Sequence, residues 1–389
     1  MHKGRDEGPV KGVAKDGEEA PPLAPTRVAP PLKGRGTAWA IEHRYTSRHH
    51  EDFDDGWGSL EQCADEQSLP PGTQVIEEHV KSILAANESP DIDFDLSINP
   101  YRGCEHGCIY CCARPTHSYL NLSPGLDFES KLFFKPEAAR LLEAELSRPR
   151  YRPELIHIGG NTDPYQPQER TLRVTRGIIE VLVRFHHPFS VITKSALVVR
   201  DIDLLAQAAA EGLTRVAVSV TSLDRKLARS MEPRAATPEK RIDAIAKLTA
   251  AGVPVTVMFA PSIPGLNDHE MEAVLERAAA AGASGAGYVA LRLPREIKDL
   301  FREWLESDHP DRARRVMSLV RQMRGGKDYD AEWGSRMKGQ GPIADLMRVR
   351  FAAAKKRYGL DQPWAAMDVS KFRVPPKAGD QIDLFGGPE

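Results

Sequence analysis

Four of the chain's five cysteines, Cys104, Cys108, Cys111 and Cys112, fall within nine residues. No other feature constrains the chain as much. A disulfide framework spreads its cysteines along the fold. Cysteines packed this tightly read instead as a metal or cluster site in a reducing compartment. Cys63 stands apart and reads as a bystander. The spacing from Cys104 to Cys111 is C-x3-C-x2-C. Iron–sulfur cubes are held by thiolates, usually four. Three closely spaced thiolates wrap three corners and leave the fourth iron open for another ligand. Gly103 and Gly107 let the loop backbone curl close to such a group, and Tyr110 precedes the third cysteine. The same residues admit a structural zinc site or a purely structural cluster. Zinc sites usually pair C-x2-C with a distant second pair or with histidines, and the adjacent Cys111 and Cys112 would strain to bind one ion together.

The rest of the chain is organised around that loop. Residues 1–75 carry Pro21, Pro22, Pro25, Pro30 and Pro31 in a charged stretch. They read as a largely disordered or extended arm, with Phe53 and Trp57 able to pack on the main domain. From about residue 94 strand patterns alternate with helix patterns: DLSIN, LIHIGG, FSVITKS, TRVAVSVTS, VPVTVMFAP and GAGYVAL against PEAARLLEAELSR, LRVTRGIIEVLVRFH, DIDLLAQAAAEG, TPEKRIDAIAKLTAAG and NDHEMEAVLERAAAAG. Thr237 with Pro238 after it signals a helix start. Six βα units imply an α/β fold with a parallel sheet, wound as a barrel or left open. Ligands of such sheets sit at the C-terminal strand ends. The cysteine loop, GGNTDP, the Lys-Ser after strand three, SVTS and PSIPG all fall there. We expect the barrel to span 76–297, a helical extension 298–375 and a flexible tail 376–389. Residues 291–375 hold 19 Lys and Arg against 12 Asp and Glu, while the whole chain carries a formal charge of −2. With no long apolar run and a polar N-terminus, the expectation is a cytoplasmic protein that makes no use of a membrane.

The motif resembles the signature of the radical S-adenosylmethionine superfamily, C-x3-C-x-aromatic-C. The resemblance implies a partial (β/α)6 barrel of that type with a C-terminal helical extension. It implies a [4Fe–4S] cluster on Cys104, Cys108 and Cys111, with S-adenosylmethionine on the open iron. It further implies reductive cleavage to a 5′-deoxyadenosyl radical that takes hydrogen from a substrate. Carried over position by position, the methionine amino group falls to the turn Gly159, Gly160, Asn161, Thr162 and Asp163. Adenine falls to Tyr110 and Ile263, and the carboxylate and ribose to Lys194, Ser195 and Ser219. An electron donor such as flavodoxin or ferredoxin is implied as partner.

NPYRGCEHGCIYC, ARPTHSYLNLSPGLDFESKLFFK, GGNTDPYQPQER, and SVTSLD followed by MEPR resemble the branch related to spore photoproduct lyase, and its bacterial cousins more than the lyase itself. Two departures stand out. Cys112 replaces the tyrosine usual in those cousins, and no cysteine follows it to return hydrogen to a product radical. Cys112 reads as a small core substitution in preference to a hydrogen donor, and Tyr288 is a second donor candidate. The substrate reading is DNA, in a repair-like reaction. The alternatives are RNA, a peptide or a small molecule, or a non-catalytic cluster protein that binds nucleic acid. The tail Gln381-Ile382-Asp383-Leu384-Phe385 resembles the peptide by which bacterial replication and repair proteins dock on the sliding clamp. Gln381, Leu384 and Phe385 would be its anchors.

Overall fold

Strands that alternate with amphipathic helices in a parallel sheet must bury one face under those helices. The computed structural model describes residues 34–37, 41, 44–45, 72–92, 94–362 and 367–376. Phe53, Trp57, Cys63 and the Gln381–Phe385 segment lie outside the described residues. Its strands are β1 (Gln74–Glu77), β2 (Ala85–Ala86), β3 (Leu96–Ile98), β4 (Tyr101–Arg102), β5 (Lys131–Phe134), β6 (Ile156–Ile158), β7 (Phe189–Thr193), β8 (Thr214–Ser219), β9 (Val255–Ser262) and β10 (Gly285–Ala290).

The main sheet runs β10–β9–β8–β7–β6–β3–β2. Strands β3 and β6 to β10 are parallel, each beside its neighbour in chain order. Strand β2 flanks β3 antiparallel. This is the expected six-unit βα winding, and it is left open. The crossovers are α1 (Ala138–Leu146), α2 (Val174–Arg184), α3 (Ile202–Ala210), α4 (Pro238–Ala250) and α5 (Met271–Ala280). At the start of α4 the Thr237 hydroxyl accepts the Lys240 N–H at 3.4 Å, as the Thr-Pro pair predicts.

Alternation along the strands separates two environments. Ile98, Ile156, Ile158, Val191, Val216, Val257 and Phe259 point to the helices and share one core with them. The intervening residues face the other way and, Ile192, Met258 and Val289 apart, are polar or small. Ser97, His157, Ser190 and Arg215 lie side by side by register. One level up, Lys194 follows Thr193, and Ser219, Met258 and Gly287 are register partners. His157, Lys194, Arg215, Met258 and Gly287 are only partly buried. The inner face is therefore polar over much of its width.

Three longer helices follow the barrel: α6 (Ile297–Asp308), α7 (Pro310–Gln322) and α8 (Gly341–Arg357). Helix α8 packs outside β10 and α5. Phe351 lies 4.6 Å from Tyr288 between ring centroids, and Met347 and Ala354 join the barrel core. Arg350 pairs with both Glu272 and Asp268. Helices α6 and α7 bury Leu300, Phe301, Trp304 and Val316 in a second core that also takes in Ile109 and Tyr110 of the cysteine loop. A small sheet, β1–β5–β4, lies apart from the barrel. Its pairing of Tyr101 with Phe134 fixes the chain just before Gly103. Sequence patterns missed this sheet because its strands are short and no residue of β1 is buried.

Phe351→Ala should cost roughly 3–5 kcal/mol, the range for truncating a buried aromatic. Denaturant unfolding should show the loss, and limited proteolysis should cut first in 341–357. Unchanged proteolysis would mean that α8 is held by Arg350 alone.

Candidate active site

The cysteine loop begins where β4 ends, and its path is set by neighbours packed close against two glycines. Gly103 and Gly107 have φ of 77° and 67°. A Cβ at Gly103 would meet Leu132 Cδ2 and the Phe128 carbonyl at 2.9 Å, and one at Gly107 would meet Glu129 Oε2 at 2.8 Å. Only glycine fits there. Neighbouring segments then clamp the loop. Cys104 N–H donates to the Phe128 carbonyl at 2.9 Å, Ile109 N–H to the Met231 carbonyl at 3.0 Å and Arg234 N–H to the His106 carbonyl at 3.2 Å. Gln166 accepts the Glu105 N–H at 2.9 Å and donates to the Gly103 carbonyl at 3.3 Å. Fully buried Arg114 donates to the carbonyls of Cys108 and Gly125, at 2.9 and 2.8 Å, and pairs with buried Glu129.

Cys104 and Cys108 are buried, Cys111 is partly buried and Cys112 is exposed. Cys112 is therefore no core substitution, because its side chain turns out of the loop. Burial pushes all three candidate ligands up. Asp163, Cys108 and Cys111 add to the effect at Cys104, Glu232 at Cys108, and Cys112 at Cys111. The sulfurs do not converge on one point among the described residues. What fits a cluster is the donor set: three thiols on one loop, all pushed up by burial, would ionise together only around a cation.

The other predicted residues gather round this loop. Lys194 Nζ lies 5.9 Å from the Tyr110 ring centre. Burial works to lower Lys194, but the acidic groups beside it, Cys108, Glu232 and Asp163, outweigh that and move the ammonium above its ordinary value. Ile263 is fully buried in the same apolar cluster as Cys108 and Tyr110. Gly159, at φ 97°, turns the chain after β6, and its N–H donates to the Ile98 carbonyl at 3.2 Å. Gly160 and Asn161 are exposed, and Asn161 N–H donates to the Asn99 side chain at 2.9 Å. The Ser195 hydroxyl accepts the Leu197 N–H at 3.2 Å. Ser219 is buried, and its carbonyl accepts from Arg241 at 3.1 Å.

Asp163 braces the site from within. It accepts from Tyr165 N–H at 2.9 Å, Thr193 Oγ1 at 2.7 Å and Lys194 N–H at 2.7 Å, and His106 Nδ1 lies 3.3 Å from it. Burial alone would raise its carboxyl; His106 and the donated hydrogen bonds hold it down at about 2. Tyr288 lies away from this assembly, on the outer face of β10 against Phe351, so it is a packing residue.

Sequence reading missed the pair that orients Tyr110. Glu232, from the MEPR run, accepts the Tyr110 hydroxyl and the Thr221 hydroxyl, the latter at 2.6 Å, and pairs with Arg241. Arg241 also donates to the Ala236 carbonyl at 2.8 Å. The available signal was a charge on the apolar stripe of α4, where Arg241, Ala244, Ile245 and Leu248 share the buried face.

Fold and loop together define the class. The radical SAM superfamily's family model matches residues 98–278, and the chain belongs to that superfamily. Its members are enzymes that typically bind a [4Fe–4S] cluster and S-adenosylmethionine. Among relatives, the uncharacterized protein Rv2578c of Mycobacterium tuberculosis is 39% identical over 242 residues, 61% of this chain and 71% of that protein. The uncharacterized protein MJ0683 of Methanocaldococcus jannaschii is 29% identical over 173 residues, 44% of this chain and 62% of that one. A structure of spore photoproduct lyase complexed with dinucleoside spore photoproduct superposes with a TM-score of 0.53 at 14% identity, covering 73% of this chain and 79% of the other. That likeness is one of fold.

Lys194→Ala should weaken S-adenosylmethionine binding at least about tenfold in calorimetric titration, since it removes a charge-assisted contact from a partly dry site. Unchanged affinity would make Lys194 an ordinary strand-end charge. A second expectation concerns pH. Asp163 ionises near 2 in the fold against an ordinary 3.8. Its charge therefore stabilises the fold above about pH 4, and that stabilisation is lost as pH falls through about 2. Asp163→Asn should cost roughly 2 kcal/mol at neutral pH. In denaturant titrations its deficit should shrink toward about pH 2; a deficit independent of pH would contradict this assignment.

Proposed function

We propose that this chain is a radical SAM enzyme acting on DNA, with Cys104, Cys108 and Cys111 holding the cluster. One observation carries the reading. Three thiols, two buried and one partly buried, lie on a clamped loop beside the C-terminal ends of six parallel strands, with a lysine and an aromatic ring next to them. When bound, the cluster and S-adenosylmethionine supply a 5′-deoxyadenosyl radical for hydrogen abstraction. The chain's own residues bind, orient and exclude water. Lys194 offers its ammonium to the methionine carboxylate. Tyr110 and Ile263 form an apolar wall for adenine, and Glu232 with Arg241 fixes the tilt of Tyr110. The turned backbone at Gly159, Gly160 and Asn161 meets the amino group, and Ser195 and Ser219 stand toward the ribose and carboxylate. Asp163 acts through its neighbours, holding the Lys194 backbone and His106 in place.

DNA as substrate is supported by the fold's likeness to a lyase solved with a dinucleoside lesion and by the positive excess over residues 291–375. A flavodoxin or ferredoxin as electron donor belongs to the same proposal, as does clamp docking through Gln381, Leu384 and Phe385.

The test is anaerobic reconstitution followed by incubation with S-adenosylmethionine, reductant and deuterium-labelled, ultraviolet-damaged DNA. Deuterium should move into 5′-deoxyadenosine. Alanine at Cys104, Cys108 or Cys111 should abolish both the cluster's visible absorption and cofactor cleavage, while Cys112→Ala keeps the absorption. Loss of absorption in the Cys112 variant but not in the Cys111 variant would reverse the ligand assignment. Cofactor cleavage without transfer from any DNA would move the substrate to RNA, a peptide or a small molecule.

A further inference from the structure

Arg292 lies just past the end of β10, where Leu291 N–H still donates to the Ser262 carbonyl at 3.0 Å. This is the cysteine-loop end of the sheet, and the exposed Cys112 lies within electrostatic reach of Arg292. Its guanidinium meets the Tyr329 side chain but is left with donors to spare. Nε–H is shut off from solvent with no acceptor among the described residues. Nη1 donates to the Met337 thioether at 3.5 Å, a weak acceptor. Asp91, the carboxylate whose charge it feels, is taken by Arg336 and by the Gly334 N–H at 2.6 Å. A second guanidinium stands within electrostatic reach. Buried Arg324 donates to the carbonyls of Ser335 and Leu291, at 2.8 and 2.7 Å. Among the described residues neither arginine has a carboxylate at ion-pair distance. Arg324 feels the repulsion of Arg292, which Asp330 opposes at a distance, and Arg292 keeps forked donors that a bound anion could take.

We infer that Arg292, reinforced by Arg324, receives a phosphate of a nucleic-acid strand. The inference rests on the proposed nucleic-acid substrate and gives it a contact. Phosphate suits a guanidinium with forked donors to spare. A strand suits the surroundings better than a lone anion does. Tyr329 lies within side-chain hydrogen-bonding reach of Arg292, and Trp333, four residues further along that segment, is 62% exposed. An exposed indole near a phosphate anchor is a stacking platform for a base.

The test measures equilibrium binding by the reconstituted enzyme without reductant, using fluorescence anisotropy of a short labelled single-stranded deoxyoligonucleotide. Arg292→Met should weaken binding at least about tenfold, and Arg292→Lys by less, because the fork is lost but the charge stays. Trp333→Ala should weaken it several-fold. On a strand carrying neutral methylphosphonates, wild type and Arg292→Met should bind alike. Equal binding of the charged strand by wild type and Arg292→Met overturns the inference, and so does a difference that persists on the neutral strand. If Arg292→Met misfolds, as judged by its cluster absorption and melting temperature, Arg292→Lys against the two strands decides. An oligoribonucleotide bound more tightly than DNA, with the same Arg292 dependence, supports the phosphate contact and rejects DNA. Binding through Arg292 in a protein that never cleaves S-adenosylmethionine rejects the radical chemistry alone.

Discussion

A carboxylate and a guanidinium taken out of water together cost several kcal/mol each unless their remaining lone pairs and N–H groups are matched. Glu232 and Arg241 are both nearly inaccessible, at 2% exposure each, and they come close to meeting that condition. Glu232 takes Tyr110, Thr221 and Arg241; Arg241 takes Glu232 and the carbonyls of Ala236 and Ser219. The pair joins α4, β8, the segment after β8 and the cysteine loop in one network. Arg114 and Glu129 repeat the arrangement on the other side of the loop. Between them the loop has little freedom to choose another path, and the thiols inherit that rigidity.

The sheet explains why charge can gather there at all. One face of each strand is spent on packing with the helices, so stability is served by Ile158, Val191, Val218 and Phe259. The other face is released from that duty and carries His157, Ser190, Lys194, Arg215 and Ser219. Period-two alternation thus divides structural work from chemical work within the same strands. The helical extension stabilises both sides. Helix α8 closes the outer face of β10, and α6 and α7 cover Ile109 and Tyr110.

The six strands, their crossovers and the loop itself were legible in sequence because each depends on local pattern: period two, period 3.6, a Thr-Pro cap, or cysteine spacing. Tyr110, Lys194 and Asp163 were legible as a set because they fall at strand ends. What they do individually was less so. Asp163 reads as a ligand contact in sequence, and in the fold its oxygens also take hydrogen bonds from Tyr165, Thr193 and Lys194. Cys112 reads as core and is exposed. Tyr288 reads as a donor and is packed outside the sheet. Each outcome turns on which side of a strand or loop a residue faces, and single residues do not announce that. Glu232, Arg241, Arg114 and Arg292 were missed for a related reason. A buried arginine and a solvated one look alike until the partner, far away in the chain, is known.

The uneven burial of the charges has one more consequence. Mobile ions at physiological strength screen exposed charges over about 8 Å but scarcely reach buried pairs. Glu232–Arg241 and Arg114–Glu129 lie beyond that reach, whereas a strand's phosphates would approach Arg292 from open solvent. Added electrolyte should therefore act as a selective solvent, loosening the polymer while the cysteine loop and its surroundings keep their shape. Charge in this protein thus comes in two grades, pairs sealed from the ionic atmosphere and a partly buried arginine at its edge.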